Sequence, residues 1–269
     1  MPPSDELLDE LLGLARRLGL AAAGMVSDGR RGGLSDVGQK SSATDMVTEF
    51  DHASEQLIVS GIAAARPGDG IIGEEGASRP STTGISWLID PIDGTTNFLY
   101  DLAQFSVSIA AADEHGGLIG VVVAPRLGEV FEASRGRGAF CNGTRVSPSS
   151  TNELGSCLLA SGFSYQAARR AEQAQVMAYV LPKVRDLRRM GSASLDLCNV
   201  ACGRVDAYFE TGLGPWDLAA GALIATEAGA VVADFNGGPA RPAEVLASNP
   251  LLAVSMRALL AEAHAMSRP

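Results

Sequence analysis

Apolar residues at three-to-four spacing open the chain. Leu7, Leu8, Leu11, Leu12, Ala15 and Leu18 fall on one face of a helix, and Ser4 stands where its cap belongs. The glycines at 32 and 33 and the polar stretch to Ser42 predict a loop, followed by a second helix over 51–65 that ends at Arg66-Pro67-Gly68. The period then shortens towards two. Residues 71–72, 87–89, 105–112 and 118–124 read as strands, and Asn142-Gly143 as a tight turn between short ones. Beyond residue 150 the texture changes. Strands are expected at 157–160 and 205–209, and helices over 166–180, 192–202 and 216–228, with Gly203 and Gly229 as stops. A strand, a turn, another strand and a final helix from Pro250 close the chain. Antiparallel strands first and alternating elements later predict an α/β protein in two parts. An α+β half over 1–150 would meet an α/β half over 151–269 in the Ser/Thr/Pro-rich stretch around Thr151.

Composition narrows the class. With 46% apolar residues in 269, the chain can bury a large core and is not disordered. Lys and Arg number 21 against 31 Asp and Glu, a formal charge of −10. That excess disfavours a non-specific nucleic-acid binder, which needs a basic footprint. No apolar run approaches the ~18 residues of a membrane span, and the acidic stretch from Met1 to Glu10 lacks the order of a signal peptide, so the expected location is the cytoplasm. Of Cys141, Cys157, Cys198 and Cys202, only the last two are spaced i, i+4. His52, His115 and His264 are scattered, so the thiols read as small apolar fillers rather than zinc ligands. Gly68-Asp-Gly70-Ile-Ile-Gly73 matches a dinucleotide-binding pattern. A helix precedes it, however, and Glu74-Glu75 follow where a pyrophosphate would lie, so it is read as a decoy.

Three acidic clusters stand where apolar runs end: Gly73-Glu74-Glu75, the run Asp90-Pro91-Ile92-Asp93-Gly94-Thr95, and Trp216-Asp217 before a helix. Carboxylates converging at buried strand ends repel each other, and a bound divalent cation removes that cost. Oxygen ligands without His or Cys favour Mg²⁺, with Mn²⁺ as a substitute, over zinc. Asp90 and Asp93 straddle a tight turn, so both can face one ion together with the carbonyl of Ile92. The N–H groups and hydroxyls of Gly94 and Thr95 suit a phosphate if a helix starts there. Acids, metals and a phosphate cradle together describe metal-assisted transfer of a phosphoryl group to water.

These residues resemble the inositol monophosphatase family. The resemblance is carried by Asp90-Pro-Ile-Asp93-Gly-Thr95-Thr-Asn-Phe, Gly73-Glu74-Glu75 and Trp216-Asp217-Leu-Ala-Ala-Gly. Lys40-Ser-Ser-Ala-Thr-Asp45 and Arg189-Met-Gly191-Ser-Ala193 add to it. It implies a layered αβαβα sandwich of the inositol monophosphatase and fructose bisphosphatase type, usually a homodimer and often lithium-sensitive. It further implies two to three Mg²⁺ ions. Glu74, Asp90 and the Ile92 carbonyl would hold the first, Asp90, Asp93 and Asp217 the second, and a third, weaker ion would lie near Glu74. Thr95, backed by Asp45 and Glu74, would orient and help deprotonate the attacking water. Gly94 and Thr95 N–H groups would hold phosphate oxygens, and Asp93, Ala193, Glu210 and Asp217 would receive substrate hydroxyls.

The implied activity is hydrolysis of a phosphate monoester, with myo-inositol 1-phosphate favoured because a carboxylate at Glu210 suits a polyol. Histidinol phosphate, fructose 1,6-bisphosphate and 3′-phosphoadenosine 5′-phosphate remain alternatives. So does a non-enzymatic role as a partner of the transcription machinery, which some bacterial relatives bind. The 29–38 region, with Arg30, Arg31 and nearby Lys40, reads either as an anion-attracting loop at the site mouth or as a solvated loop. The segment Ser161-Gly-Phe-Ser-Tyr165 is a further candidate for the pocket wall.

Overall fold

The computed structural model describes residues 3–32, 37–39 and 46–266. Seven α-helices are formed among them: α1 (Asp5–Gly32), α2 (Glu49–Ala65), α3 (Thr95–Leu99), α4 (Ala167–Val180), α5 (Ala193–Ala201), α6 (Pro215–Ala228) and α7 (Ala253–Met266). The strands of the first part are β1 (Val37–Gln39), β2 (Met46–Thr48), β3 (Gly70–Gly73), β4 (Ser78–Arg79), β5 (Ser86–Asp93), β6 (Ser106–Asp113), β7 (Gly116–Ala124), β8 (Glu129–Ser134), β9 (Gly138–Cys141) and β10 (Thr144–Arg145). Those that follow are β11 (Leu158–Ser161), β12 (Asp186–Arg188), β13 (Ala207–Glu210), β14 (Val231–Ala233) and β15 (Val245–Ser248).

Two large sheets result. One runs β10-β9-β8-β7-β6-β5-β3-β4 and is antiparallel except for the parallel neighbours β3 and β5. The other runs β12-β11-β13-β15-β14, with β11 parallel to both its neighbours. Strand alternation turns these sheets into layers. Ile109 and Ala111 face the apolar layer under α1 and α2, whereas Ala110 between them faces the opposite layer. Val121 and Val123 part from Val122 in the same way. On the smaller sheet Tyr208 joins Leu197 of α5 and Ile224 of α6 in the middle layer, while Ala207 and Phe209 turn outward to Val176 of α4 and Leu260 of α7. Helices, sheet, helices, sheet and helices thus stack as αβαβα, the layering that the sequence resemblance implies. The decoy glycine motif ends in β3 rather than opening a helix, so the dinucleotide mechanism has no place to act.

Two local outcomes differ from the pattern. Helix α1 continues through Arg30 to Gly32, where the glycines predict a loop. The reason is tertiary: Arg30 donates from Nε to Phe98 O (3.0 Å) and from Nη2 to Leu99 O (3.2 Å), tying the last turn of α1 to the end of α3. Arg30 is therefore engaged in structure and not held out for substrate. The side chain of Arg31, and Lys40 altogether, lie outside the described residues. Helix α2 starts two residues before the expected 51, because Thr48 caps it. The Thr48 hydroxyl accepts from Phe50 N–H (3.2 Å), and Asp51 accepts from Thr48 N–H (2.7 Å), a reciprocal capping box.

Candidate active site

Because β3 and β5 run parallel, with Gly73 opposite Ile89, their C-terminal ends open at the same edge. Glu74 follows β3, and Asp90 to Asp93 end β5. The β5–β6 register shifts between Asp90 and Asp93, around a proline that has no N–H to contribute. Ile92 N–H turns back to Asp90 Oδ1 (3.0 Å), and Ser54 of α2 donates to Pro91 O (3.1 Å). Gly94 then takes φ 96°. A Cβ there would lie 2.9 Å from Gly191 O and 3.0 Å from Gln104 O, so only glycine fits this corner. Helix α3 begins at Thr95, and its first backbone bond runs from Phe98 N–H to Gly94 O (3.0 Å).

All the described site candidates line one cavity of about 290 Å³: Glu74, Asp90, Ile92, Asp93, Gly94, Thr95, Ala193, Glu210 and Asp217. Asp45 lies outside the described residues. Phe163, Ser164 and Tyr165 also line it, as the 161–165 segment suggests. Asp93 accepts from Ser192 Oγ (2.7 Å), Ser194 N–H (2.7 Å), Ser194 Oγ (2.6 Å) and Ala193 N–H (3.2 Å), so the start of α5 grips it. Asp217, in the first turn of α6, accepts from Gly214 N–H (2.7 Å). Every one of these donors, and the Ile92 N–H on Asp90, is neutral.

The electrostatic consequence is large. Burial, then the charges of Glu74, Asp93 and Asp217, push the Asp90 carboxyl far above the usual range. Asp93 is raised by burial despite its serine donors, and Asp217 is pushed up to about 8 by burial and by Asp93 and Glu74. Among the described residues no three acidic, His or Cys side chains surround one point as the ligands of a bound ion would. Asp90 instead lies within hydrogen-bonding reach of Glu74 and Asp217, where carboxyls can share protons. An all-oxygen donor set, buried and short of positive charge, is what a hard divalent cation requires, so the residues present fit Mg²⁺.

Two helix carboxylates complete this wall, and the sequence reading did not single out either. Thr95 Oγ1 has one proton and two acceptors at 3.1 Å, Asp51 Oδ1 and Ile92 O. Among the described residues the carboxylate on Thr95 is Asp51, the residue that also caps α2. Its signal was the Thr48-x-x-Asp51 spacing at a helix start. Glu55, one turn on, accepts from Glu75 N–H (2.8 Å) and Ala77 N–H (3.0 Å) and so fixes the turn that carries Glu74. A side chain at Gly73 would collide with it. Acids at 51 and 55, on the helix face shared with Ile58 and Ile62, were the available clue.

The opposite wall comes from the smaller sheet. Glu210 ends β13, accepts from Tyr208 Oη (2.8 Å), and is pushed up to about 7, chiefly by burial. Asn97 of α3 donates to Gln104 O (2.5 Å) and Met190 O (2.7 Å), fastening the turn before α5 to the large-sheet wall.

Comparison with known proteins fits this geometry. The model of the inositol monophosphatase family matches residues 5–267. An inositol-1-monophosphatase of Mycobacterium bovis is 46% identical over 204 residues, covering 72% of this chain and 70% of that protein. Nus factor SuhB of Pasteurella multocida is 43% identical over 235 residues, covering 86% and 87%. Among solved structures, an IMPase of Thermotoga maritima superposes with a TM-score of 0.88 at 31% identity, covering 96% of this chain and 100% of that one. A matched family model over nearly the whole length, and relatives well above 30% identity, lead to one conclusion: the chain belongs to the inositol monophosphatase family.

Proposed function

We propose that this protein is a Mg²⁺-dependent phosphate monoester hydrolase whose preferred ester is myo-inositol 1-phosphate. The observation that carries the reading is the convergence of Glu74, Asp90, Asp93 and Asp217 on one cavity beside a threonine held by a buried aspartate. Glu74, Asp90, the Ile92 carbonyl, Asp93 and Asp217 would hold the metal ions, two to three in number, with Mn²⁺ able to substitute. When bound, Mg²⁺ supplies an acidified water and neutralises charge on the leaving oxygen.

The protein's own groups do the rest. Thr95 Oγ1 accepts a proton from the attacking water and passes its own to Asp51 Oδ1, 3.1 Å away. Asp51 joins Asp45 and Glu74 as the carboxylates behind Thr95 that orient and help deprotonate this water. The N–H groups of Gly94 and Thr95, at the left-handed corner that opens α3, orient phosphate oxygens. Asp93, Ala193, Glu210 and Asp217 receive the hydroxyls of the polyol. Glu210, held by Tyr208, accepts hydrogen bonds from neighbouring hydroxyls, which favours a polyol over the alternatives. The inositol-1-monophosphatase names of relatives support this choice.

The test is phosphate release from myo-inositol 1-phosphate and from histidinol phosphate, with and without Mg²⁺. Mg²⁺-dependent release that favours the inositol ester is expected. Preference for histidinol phosphate would overturn the substrate, and no release from any phosphate ester would overturn the reaction. A second reading rests on the relatives named Nus factor SuhB, and assigns the chain an association with the transcription machinery. It predicts a cellular phenotype that survives Asp93→Asn, whereas the hydrolase reading predicts that phenotype and activity are lost together.

A further inference from the structure

Gln173 has no part in the hydrolase reading, yet its side chain holds two stretches of the cavity wall together. Strands β11 and β13 run parallel, and their last paired residues are Ser161 and Phe209. Beyond that pair the chains part. One turns through Ser164 and Tyr165 into α4, the other passes through Glu210 and Thr211 towards α6, and all four of these residues line the cavity. Gln173, in the second turn of α4, spans the split. Its Oε1 accepts from Ser164 N–H (2.9 Å), and its Nε2 donates to Thr211 Oγ1 (3.1 Å). The first bond settles the direction of the amide, because a backbone N–H can only donate. Two further bonds fasten Ser164 to the start of the same helix. Its Oγ accepts from Gln166 N–H (3.1 Å), and its carbonyl accepts from Arg170 Nη1 (2.9 Å).

The split matters because Glu210 sits in it. Its carboxylate accepts from Tyr208 Oη (2.8 Å) and lies against the backbone of Gly162, where a Cβ would collide with it. The place of that carboxylate therefore depends on the spacing of the two chains, and a hydrogen bond to a hydroxyl spans a range of only about half an ångström. We infer that Gln173 is a positioning residue for the polyol end of the substrate: by tying Ser164 to Thr211 it sets the spacing at which Glu210 meets substrate hydroxyls. The role rests on the hydrolase reading above and is exerted through Glu210, away from the reacting atoms. Gln173 stands behind the cavity wall, beside Val176, Met177 and Phe209, so a leucine there suits its neighbours while removing both hydrogen bonds.

The experiment compares an ester rich in hydroxyls, myo-inositol 1-phosphate, with one that has none, phenyl phosphate, on the wild type and Q173L with Mg²⁺. For the inositol ester Q173L is expected to raise KM about tenfold, the scale of a hydrogen bond to a charged group, with kcat within about twofold of the wild type. Both constants for phenyl phosphate should stay within about twofold. T211V cuts the same link at its other end, so it should raise KM for the inositol ester by less, and adding it to Q173L should change little. An unchanged KM for the inositol ester overturns the role. So does an equal loss on both esters, which is what a merely loosened fold produces, or a fall in kcat without the rise in KM. A double variant in which the two KM effects multiply also overturns it. If Q173L fails to fold, T211V carries the same comparison of esters. A wild type active on phenyl phosphate but not on the inositol ester overturns the role and the proposed substrate, and leaves the reaction standing. If the wild type hydrolyses neither ester, the hydrolase reading fails on its own, and calorimetric titration with both esters decides the role. Weaker binding of the inositol ester alone in Q173L supports it, whereas an equal change on both, no change, or no binding to the wild type overturns it.

Discussion

Strands β3 and β5 carry buried carboxylates at both ends, and the two ends treat them in opposite ways. At the N-terminal end Asp69 is wholly buried. It accepts from Arg66 Nε (2.9 Å) and Nη2 (3.3 Å), Thr83 Oγ1 (2.7 Å) and Trp87 Nε1 (3.0 Å). Burial by itself would raise its pKa, but these donors and the Arg66 charge outweigh burial and hold it below the ordinary value. At the C-terminal end Asp90, Asp93 and Asp217 receive only neutral donors and are driven upward. One fold therefore supplies its own cation at one end and leaves the other short of positive charge. The first arrangement is structural, and the second costs stability for the sake of a site.

The sharpest break in that comparison is Asp90→Asn. Activity with Mg²⁺ should fall on the order of 10³-fold or more, since a bound metal contributes several kcal/mol to such a transition state. The folded protein should melt no lower at pH 8, which thermal unfolding beside a phosphate-release assay would check. Asp69→Ala should do the reverse. Removing the carboxylate strands Arg66 and the Trp87 N–H, a loss of about 3 kcal/mol in denaturant unfolding, with kcat per folded molecule unchanged. An activity loss in this variant without unfolding would break the division between the two ends.

Thr95→Ala sharpens the active end further. With the Asp51 proton path cut, kcat should drop about 10²-fold with little change in KM. Asp45→Asn should cost less than Asp51→Asn if Asp51 is the partner of Thr95, and steady-state kinetics of the two variants rank them.

The smallest effect is in pH and metal dependence. Asp217 near 8 and Glu210 near 7 bind protons in the folded state that an unfolded carboxylate releases near pH 4. Unfolding therefore releases protons between these values, so the metal-free protein should lose stability as pH rises from about 5 to 8. Under the proposed function, Mg²⁺ would replace those protons. It should raise Tm more at pH 8 than at pH 6, by on the order of 5 °C when saturating, as melts with Mg²⁺ or with a chelator would show. Equal melting at both pH values without metal would contradict the charge deficit.

Much of this was open to a reader of the chain. The helical spacing from Leu7 to Leu18, the period-two runs around Ile109 and Val121, and the acids after Ile72 and Ile89 are local patterns. Burial of an alternating strand on two faces leaves a direct imprint on residue type. The motifs around Asp90 and Asp217 carried the family as well. What stayed hidden depended on distant partners. Short strands such as β12 (Asp186–Arg188) form because β11 offers an edge, and no periodicity of three residues announces that. Arg30 reads as a loop cation until Phe98 and Leu99, some seventy residues on, present their carbonyls.

The sequence by itself determined the α/β class and the acidic strand ends, because these follow from residue chemistry and short spacing, and its family motifs implied the layering. Tertiary structure alone decided that Asp51 reaches Thr95 and that Glu55 braces the Glu74 turn. The physical reason is that side-chain electrostatics act over a few ångströms of space, and the parallel pairing of β3 with β5 and the docking of α5 and α6 create those few ångströms between segments far apart in the chain.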